Sequence, residues 1–292
     1  VASNRFYSFN RTVGRTTRIV SALSPDEVET INVHAMNGDF EIATFSFNRR
    51  EFDKTQSYNS SSAELLLKSK ISANSNKPLY LEADFKPEVS FPEFEWSMAP
   101  ALRHQIGGPE GFYLGQLFWK TDTSIKFKRN LVLYSSIGVN IYDTFNDFRN
   151  PSQSTIPRVR SDIQEYLKEG KNNIQRVQLQ YFSSPMNNLF FRLDLGIMEE
   201  MFGGFGGEVL FRPFTSSSYF GASIHRVKQR GYKQRFSFRD YETTTGHFSH
   251  YISLPYGVNS RISIGKYLAG DKGLTWDLSR RFKSGFTLGV FA

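Results

Sequence analysis

Two acidic residues two positions apart, Asp240 and Glu242, have the spacing in this chain that comes nearest to a chemistry. On a strand they share one face, roughly 6 to 7 Å apart, near the separation of paired glycosidase carboxylates. Glu199 and Glu200 add further acids. The surroundings favour a simpler reading, because Arg226, Lys228, Arg230, Lys233, Arg235 and Arg239 crowd the same stretch. Carboxylates among so many cations form ion pairs before they form an acid–base couple. His247 and His250 have a zinc-like spacing only on a helix. On a strand, residues three apart face opposite sides, so one metal ion cannot take both without a bulge. Gly203-Gly204-Phe205-Gly206-Gly207 fails as a phosphate loop, since no Lys-Ser or Lys-Thr follows and Glu208–Phe211 reads as a strand. Its glycines suit a turn or a close approach of strands. No serine nucleophile elbow is present, and the arginine-rich run lacks the context of a nucleic-acid module. The sequence therefore assigns no catalytic, cofactor-binding or metal-binding residue, and no nucleic-acid partner.

The elements that carry these residues read mainly as strands. After Pro92 the chain falls into segments of roughly ten residues with alternating polarity, separated by Gly, Pro, Asn and Ser, the signature of a transmembrane β-barrel. Leu189, Phe191, Leu193, Leu195 and Ile197 fall on one side of a strand and Arg192, Asp194 and Gly196 on the other. Val177, Leu179 and Tyr181 likewise oppose Arg176, Gln178 and Gln180. Leu274, Trp276, Leu278 and Phe282 oppose Thr275, Asp277, Ser279 and Arg281, with Arg280 the one charge on the apolar side, where it must snorkel. Further strands are expected to begin near Phe94, Phe112, Ile125, Phe205, Tyr219, Arg235, His247, Arg261 and Phe286. That makes about a dozen strands of an antiparallel transmembrane β-barrel; a soluble β-sandwich would share the pattern. Residues 142–172, with Pro151, Pro157 and a helix-prone Asp162–Lys168, read as a long loop insert.

The first 88 residues differ in character. Ser24-Pro25-Asp26-Glu27 is expected to start a short helix. Thr30–Ala35 and Phe40–Phe47 flank Asn37-Gly38, a hairpin signal, and Ala63–Lys70 is helix-prone between two polar stretches. The division expected is a small α+β unit and linker over 1–88, then a barrel region over 89–292.

Composition bounds this reading without deciding it. Hydrophobic residues make up 39% of 292, and the mean hydropathy is −0.42, values that a soluble protein and a strand-built membrane protein share. The 15% of aromatic residues, 28 Phe and 14 Tyr among them, favour strands that meet lipid. No cysteine is present, which excludes disulfides, thiolate-bound zinc and thiol catalysis. The net charge of +8 suits an anionic partner such as acidic polysaccharide, lipopolysaccharide or nucleic acid, and equally a plain solvated basic surface. No signal-peptide pattern follows Val1, so any leader is expected to be removed or to lie upstream.

Several stretches resemble a known family: Pro100–Phe112 (PALRHQIGGPEGF), Arg158–Tyr166 (RVRSDIQEY), Glu199–Pro213 (EEMFGGFGGEVLFRP), Val227–Arg230 (VKQR) and Gly265–Gly273 (GKYLAGDKG). They are similar to the YjbH/GfcD family of outer-membrane proteins linked to exopolysaccharide and group 4 capsule. The resemblance implies a β-barrel in the outer membrane with a periplasmic portion, working beside other capsule and exopolysaccharide export proteins. It transfers no catalytic residue. Members are longer at both ends, so the chain is expected to be part of a larger barrel protein. The function expected is non-enzymatic, passing or scaffolding polysaccharide export. A periplasmic polysaccharide-modifying enzyme and a general porin or structural scaffold are the alternatives. Contact with polysaccharide, as well as with outer-membrane lipid or lipopolysaccharide, follows from this reading. Candidate lumen-lining, glycan-contacting residues are Arg176, Arg192, Asp194, Glu208, Arg212, Arg226, Arg261, Asp277 and Arg281. Two outcomes stay open: the arginines give a positive interior that draws an acidic glycan, or Asp194, Glu208, Asp240 and Asp277 neutralise them and leave a plugged one.

Overall fold

The computed structural model describes residues 9–37, 40–73, 90–108, 111–147, 159–214, 216–282 and 284–292. Helix α1, Phe9–Leu23, precedes a hairpin of β1, Thr30–Asn37, and β2, Phe40–Asn48. Helices α2, Arg49–Gln56, and α3, Ser62–Lys68, then lead into β3, Lys70–Ala73. The three strands form a small antiparallel sheet in the order β1-β2-β3. Val13 of α1 and Phe52 of α2 close a core with Ile31, Val33 and Phe47. Asn48 and Ser61 cap α2 and α3 by accepting from the amides of Glu51 and Glu64, which satisfies donors the helix itself leaves free.

The hairpin expected around Asn37-Gly38 forms, with Asn37 opposite Phe40, although Gly38 itself lies outside the described residues. The helix start expected at Ser24 is overturned. Ser24 instead lies just past α1, its hydroxyl and its amide both donating to Val20 O. Pro25, lacking an N–H, follows the end of the helix.

Eleven strands make the large sheet: β4 Glu93–Gly108, β5 Gly111–Lys128, β6 Leu131–Asp143, β7 Asn173–Met186, β8 Leu189–Ile197, β9 Phe202–Phe211, β10 Ser218–Arg230, β11 Phe238–Leu254, β12 Val258–Lys266, β13 Lys272–Arg281 and β14 Thr287–Phe291. Each pairs antiparallel with its sequence neighbours, from β4 at one edge to β14 at the other. The expectation of a transmembrane β-barrel is corrected here: the sheet is open, and β4 and β14 do not pair with each other. Alternating polarity fixes which side chains share a face. Closure is a separate, long-range condition on strand tilt and stagger, which the alternation does not encode.

Two pairs of expected strands are also single strands. The starts near Phe112 and Ile125 belong to β5, whose polar stretch Lys120–Ser124 stays paired, and those near Arg235 and His247 belong to β11. The insert carries α4, Ile163–Glu169, as the helix-prone run predicts; Pro151 and Pro157 lie outside the described residues. Connections at one end of the sheet are short, such as Asn187-Asn188 between β7 and β8. The longest, between β6 and β7, lies at the other end.

The register sorts side chains into two unlike faces. Phe94, Trp96, Leu102, Leu193, Leu195, Phe205, Phe248, Ile264 and Leu274 all lie on one face and all are exposed. The other face holds the glutamines, carboxylates, serines and threonines that are buried within this sheet, Gln178, Gln180, Asp194, Ser249 and Ser263 among them.

Candidate functional site

The polar face is organised around Asp194 of β8. Gln178 and Gln180 of β7 each donate an amide hydrogen to its Oδ1 at 2.7 Å. Arg192 donates from Nε to Oδ2 at 2.9 Å, and its Nη2 reaches Glu208 Oε2 of β9 at 3.1 Å. Alternation puts Arg192 and Asp194 on the same side, and the register sets Arg192 directly opposite Glu208. His225 Nε2 of β10 stands 3.6 Å from Asp194 Oδ2, although β9 runs between them. Gly206 makes that reach possible, because a Cβ there would fall 2.3 Å from the His225 ring.

Beside this cluster a groove of about 340 Å³ opens between β9 and β13, lined by Ser223, His225, His247, Tyr251, Arg261 and Tyr267 among others. Such a volume lies in the range of small-molecule sites, roughly 300–1,000 Å³. Tyr251 stacks on Tyr219 with ring centroids 5.0 Å apart, and the Arg212 guanidinium lies 5.4 Å over the Tyr219 ring. Tyr267 meets the edge of His247 and shares a hydrogen bond with Thr275. Ser249 and Ser263 bond across β11 and β12 at 2.8 Å. Arg261 pairs with Asp277 of β13 at 3.7 Å. A second cavity of about 360 Å³ lies between β4 and β7 and includes Asp122, Tyr134 and Arg176; there Arg176 covers the Tyr134 ring and donates to Gln178.

Helix α4 covers one end of the polar face. Tyr166, fully buried, packs with Met201, Phe202 and Val227, and its hydroxyl donates to Arg230 O. Burial pushes the Tyr166 phenol up to about 12. Arg230 is itself fully buried and donates to three backbone carbonyls, those of Glu199, Glu200 and Arg235. Gln234 donates to Tyr166 O at 2.8 Å, which ties the loop after β10 to the helix.

Of the nine candidate residues, Arg176, Arg192, Asp194, Glu208, Arg212, Arg261, Asp277 and Arg281 share the polar face. Arg226 does not. It sits opposite Phe205 and Thr244 on the apolar face and pairs with Glu242. Asp240 follows Glu242 to that face by alternation, so neither belongs to the polar side. His247 and His250 face opposite sides, as their spacing on a strand requires: His247 lines the groove, and His250 stacks on Phe220 of the apolar face. The arginines on the polar side do not make a simple positive field, because Asp194, Glu208 and Asp277 pair with Arg192 and Arg261. His225, Tyr251 and Tyr267 escaped the sequence reading, although each occupies the polar phase of its strand or the turn that follows.

The family model described as "Exopolysaccharide biosynthesis protein YbjH" matches residues 1–292. The chain is 36% identical over 207 residues to a protein of Escherichia coli (strain K12) named "Uncharacterized lipoprotein YjbH", a match covering 68% of this chain and 30% of that protein. The chain thus spans about 30% of the length of that relative. No solved structure matches. A family match along the full chain and substantial identity over two thirds of it have one reading: the chain belongs to the YjbH family of exopolysaccharide biosynthesis proteins.

Proposed function

We propose that this chain is a non-enzymatic, outer-membrane portion of an exopolysaccharide-production component, whose polar face handles the glycan while its apolar face meets lipid. The observation that carries the reading is the sorting of one sheet into two unlike faces. An exposed apolar surface continuous over many strands is far larger than a few hundred Å², and such surfaces mark membrane or protein contact. The name of the E. coli relative, a lipoprotein, agrees with an envelope location. On the opposite face, serine and threonine hydroxyls, two histidines, Tyr251, Tyr267 and the ion-paired Arg261 line a groove open to a hydroxyl-rich ligand. The carboxylates there are held by arginine or amide donors, which suits binding rather than acid–base cleavage.

The test is made in cells lacking the gene and complemented with the full-length protein. Exopolysaccharide release should fall on deletion and return on complementation. It should stay low when Tyr251→Ala and Arg261→Gln are combined, with the protein still in the carbonate-resistant membrane fraction. Normal release from the deletion strain, or a protein freed by carbonate washing, rejects the reading.

A further inference from the structure

A row of cations borders the apolar face at the end of the sheet that carries the longest connection. Arg226 and Lys228 of β10, Lys266 of β12 and Lys272 of β13 all share the side of Ile224, Ile264 and Leu274. All four are exposed. The register sets Ile224, Gly246, Lys266 and Lys272 level with one another across four strands, with Arg226 and Lys228 farther toward the strand ends. Strands lie about 4.8 Å apart and residues rise about 3.3 Å each, so the patch is roughly 15 Å wide. Its floor is low at Gly246, which has no side chain. Ile224, inward of Arg226, and Phe248, Ile264 and Leu274, inward of the lysines, are each more than half exposed.

The charges in this row are unbalanced. Glu242 holds Arg226, but Lys266 stands directly opposite Lys272. Like charges placed opposite each other across a strand pair destabilise it, and neither lysine has an ion-pair partner among the described residues. The arrangement becomes favourable when an anion sits between them. The ligand that fits has a phosphate at the level of the lysines and an acyl chain lying inward on Phe248, Ile264 and Leu274.

We propose that Arg226, Lys266 and Lys272 form a binding site for the anionic phosphate headgroup of a membrane lipid, with the adjoining apolar side chains as the floor for its acyl chain. This inference rests on the membrane reading given above and adds a specific lipid site to it. Lys228 extends the site toward the strand end.

The experiment uses purified full-length protein in nanodiscs of phosphatidylcholine, alone or doped with lipid A carrying its phosphates or with the dephosphorylated form. Native mass spectrometry reads the lipid retained, and a thermal melt reads stability. Phosphorylated lipid A should be retained in preference to both other lipids. Retention should fall roughly fivefold for each cation removed, the ratio expected for one basic side chain near an anionic lipid surface, in Arg226→Gln, Lys266→Gln and Lys272→Gln. A triple change of Arg18→Gln, Arg50→Gln and Lys70→Gln, which removes the same charge from the small unit, should leave retention intact. Lys272→Gln alone should melt higher than the parent in plain phosphatidylcholine and gain less from lipid A, a crossing that misfolding does not produce. Equal loss in that control and in Arg226→Gln, Lys266→Gln and Lys272→Gln combined, or equal retention of the dephosphorylated lipid, overturns the site. A protein that enters no nanodisc of any composition overturns the membrane reading instead.

Discussion

Asp194 gathers two glutamine amides from β7, a guanidinium from its own strand and an imidazole from β10 around one carboxylate. Such a hub is costly to remove because its partners stay behind. Asp194→Ala strands the Gln178 and Gln180 amides and leaves Arg192 with Glu208 alone. Breaking a buried pair from one side costs about 3 to 5 kcal/mol, and the lower figure applies here because Arg192 keeps solvent contact. The urea midpoint of the full-length protein in detergent should drop accordingly, while Asp194→Asn, which keeps one acceptor oxygen, should lose less. The sequence made Arg192 and Asp194 legible as neighbours on one face, because two-residue alternation is local. It did not reveal His225 as their partner, since that meeting depends on the register across β9 and on the missing side chain of Gly206. Arg226 was misplaced for a related reason. Its strand was foreseen to begin near Tyr219, but tyrosine suits either face of a sheet, so the phase of β10 was not fixed.

Helix α4 and the small unit show how short elements are held in place. Tyr166→Phe removes the hydroxyl that donates to Arg230 O, a loss of about 1 kcal/mol that hydrogen exchange of the α4 amides should register. The phenol also has a pH consequence. A folded value of about 12 against an ordinary 10 means that the contribution is complete below pH 10 and fades as pH rises toward 12. Absorbance titration should therefore find Tyr166 among the last tyrosines to ionise. In the small unit, Lys68 bridges Glu51 and Glu64, joining α2 to α3. Hydrogen bonds from Lys68 and then Lys54 hold the Glu51 carboxyl down at about 2, from an ordinary 4.5. A lowered carboxylate contributes above its unfolded value, so the clamp is complete above pH 4.5 and lost as pH falls toward 2. Exchange of the α2 and α3 amides should quicken across that window, and Glu51→Gln should weaken the pH dependence, leaving the part that Glu64 carries through its own bond to Lys68. Helix α3 and the β1–β2 hairpin could be foreseen from an apolar run and from Asn37-Gly38. Helix α2 could not: its one buried side chain, Phe52, sits among charges, and its start depends on the cap at Asn48.

At the scale of the molecule, the sheet separates an exposed apolar face from a polar one. Leu195→Arg places a cation in the middle of the apolar face and should cost about 2 to 4 kcal/mol where that face meets hydrocarbon. Gln180→Arg, on the opposite face beside Asp194, should cost far less. The yield of each variant in the membrane fraction compares them. That two faces exist was legible residue by residue, because polarity alternates with the pleat. That the eleven strands stay open was not, because closure depends on how the first strand stands to the last.

All three tryptophans, Trp96, Trp119 and Trp276, project from the apolar face. The chain's indole fluorescence is thus a one-sided reporter. Its emission should shift to the blue when the protein passes from urea into vesicles and should be quenched by brominated acyl chains. Sugar added to the polar face should leave it nearly unchanged. A titration that follows glycan binding by tryptophan emission would be watching the wrong surface, and tyrosine signals from the Tyr219–Tyr251 stack are the ones to record.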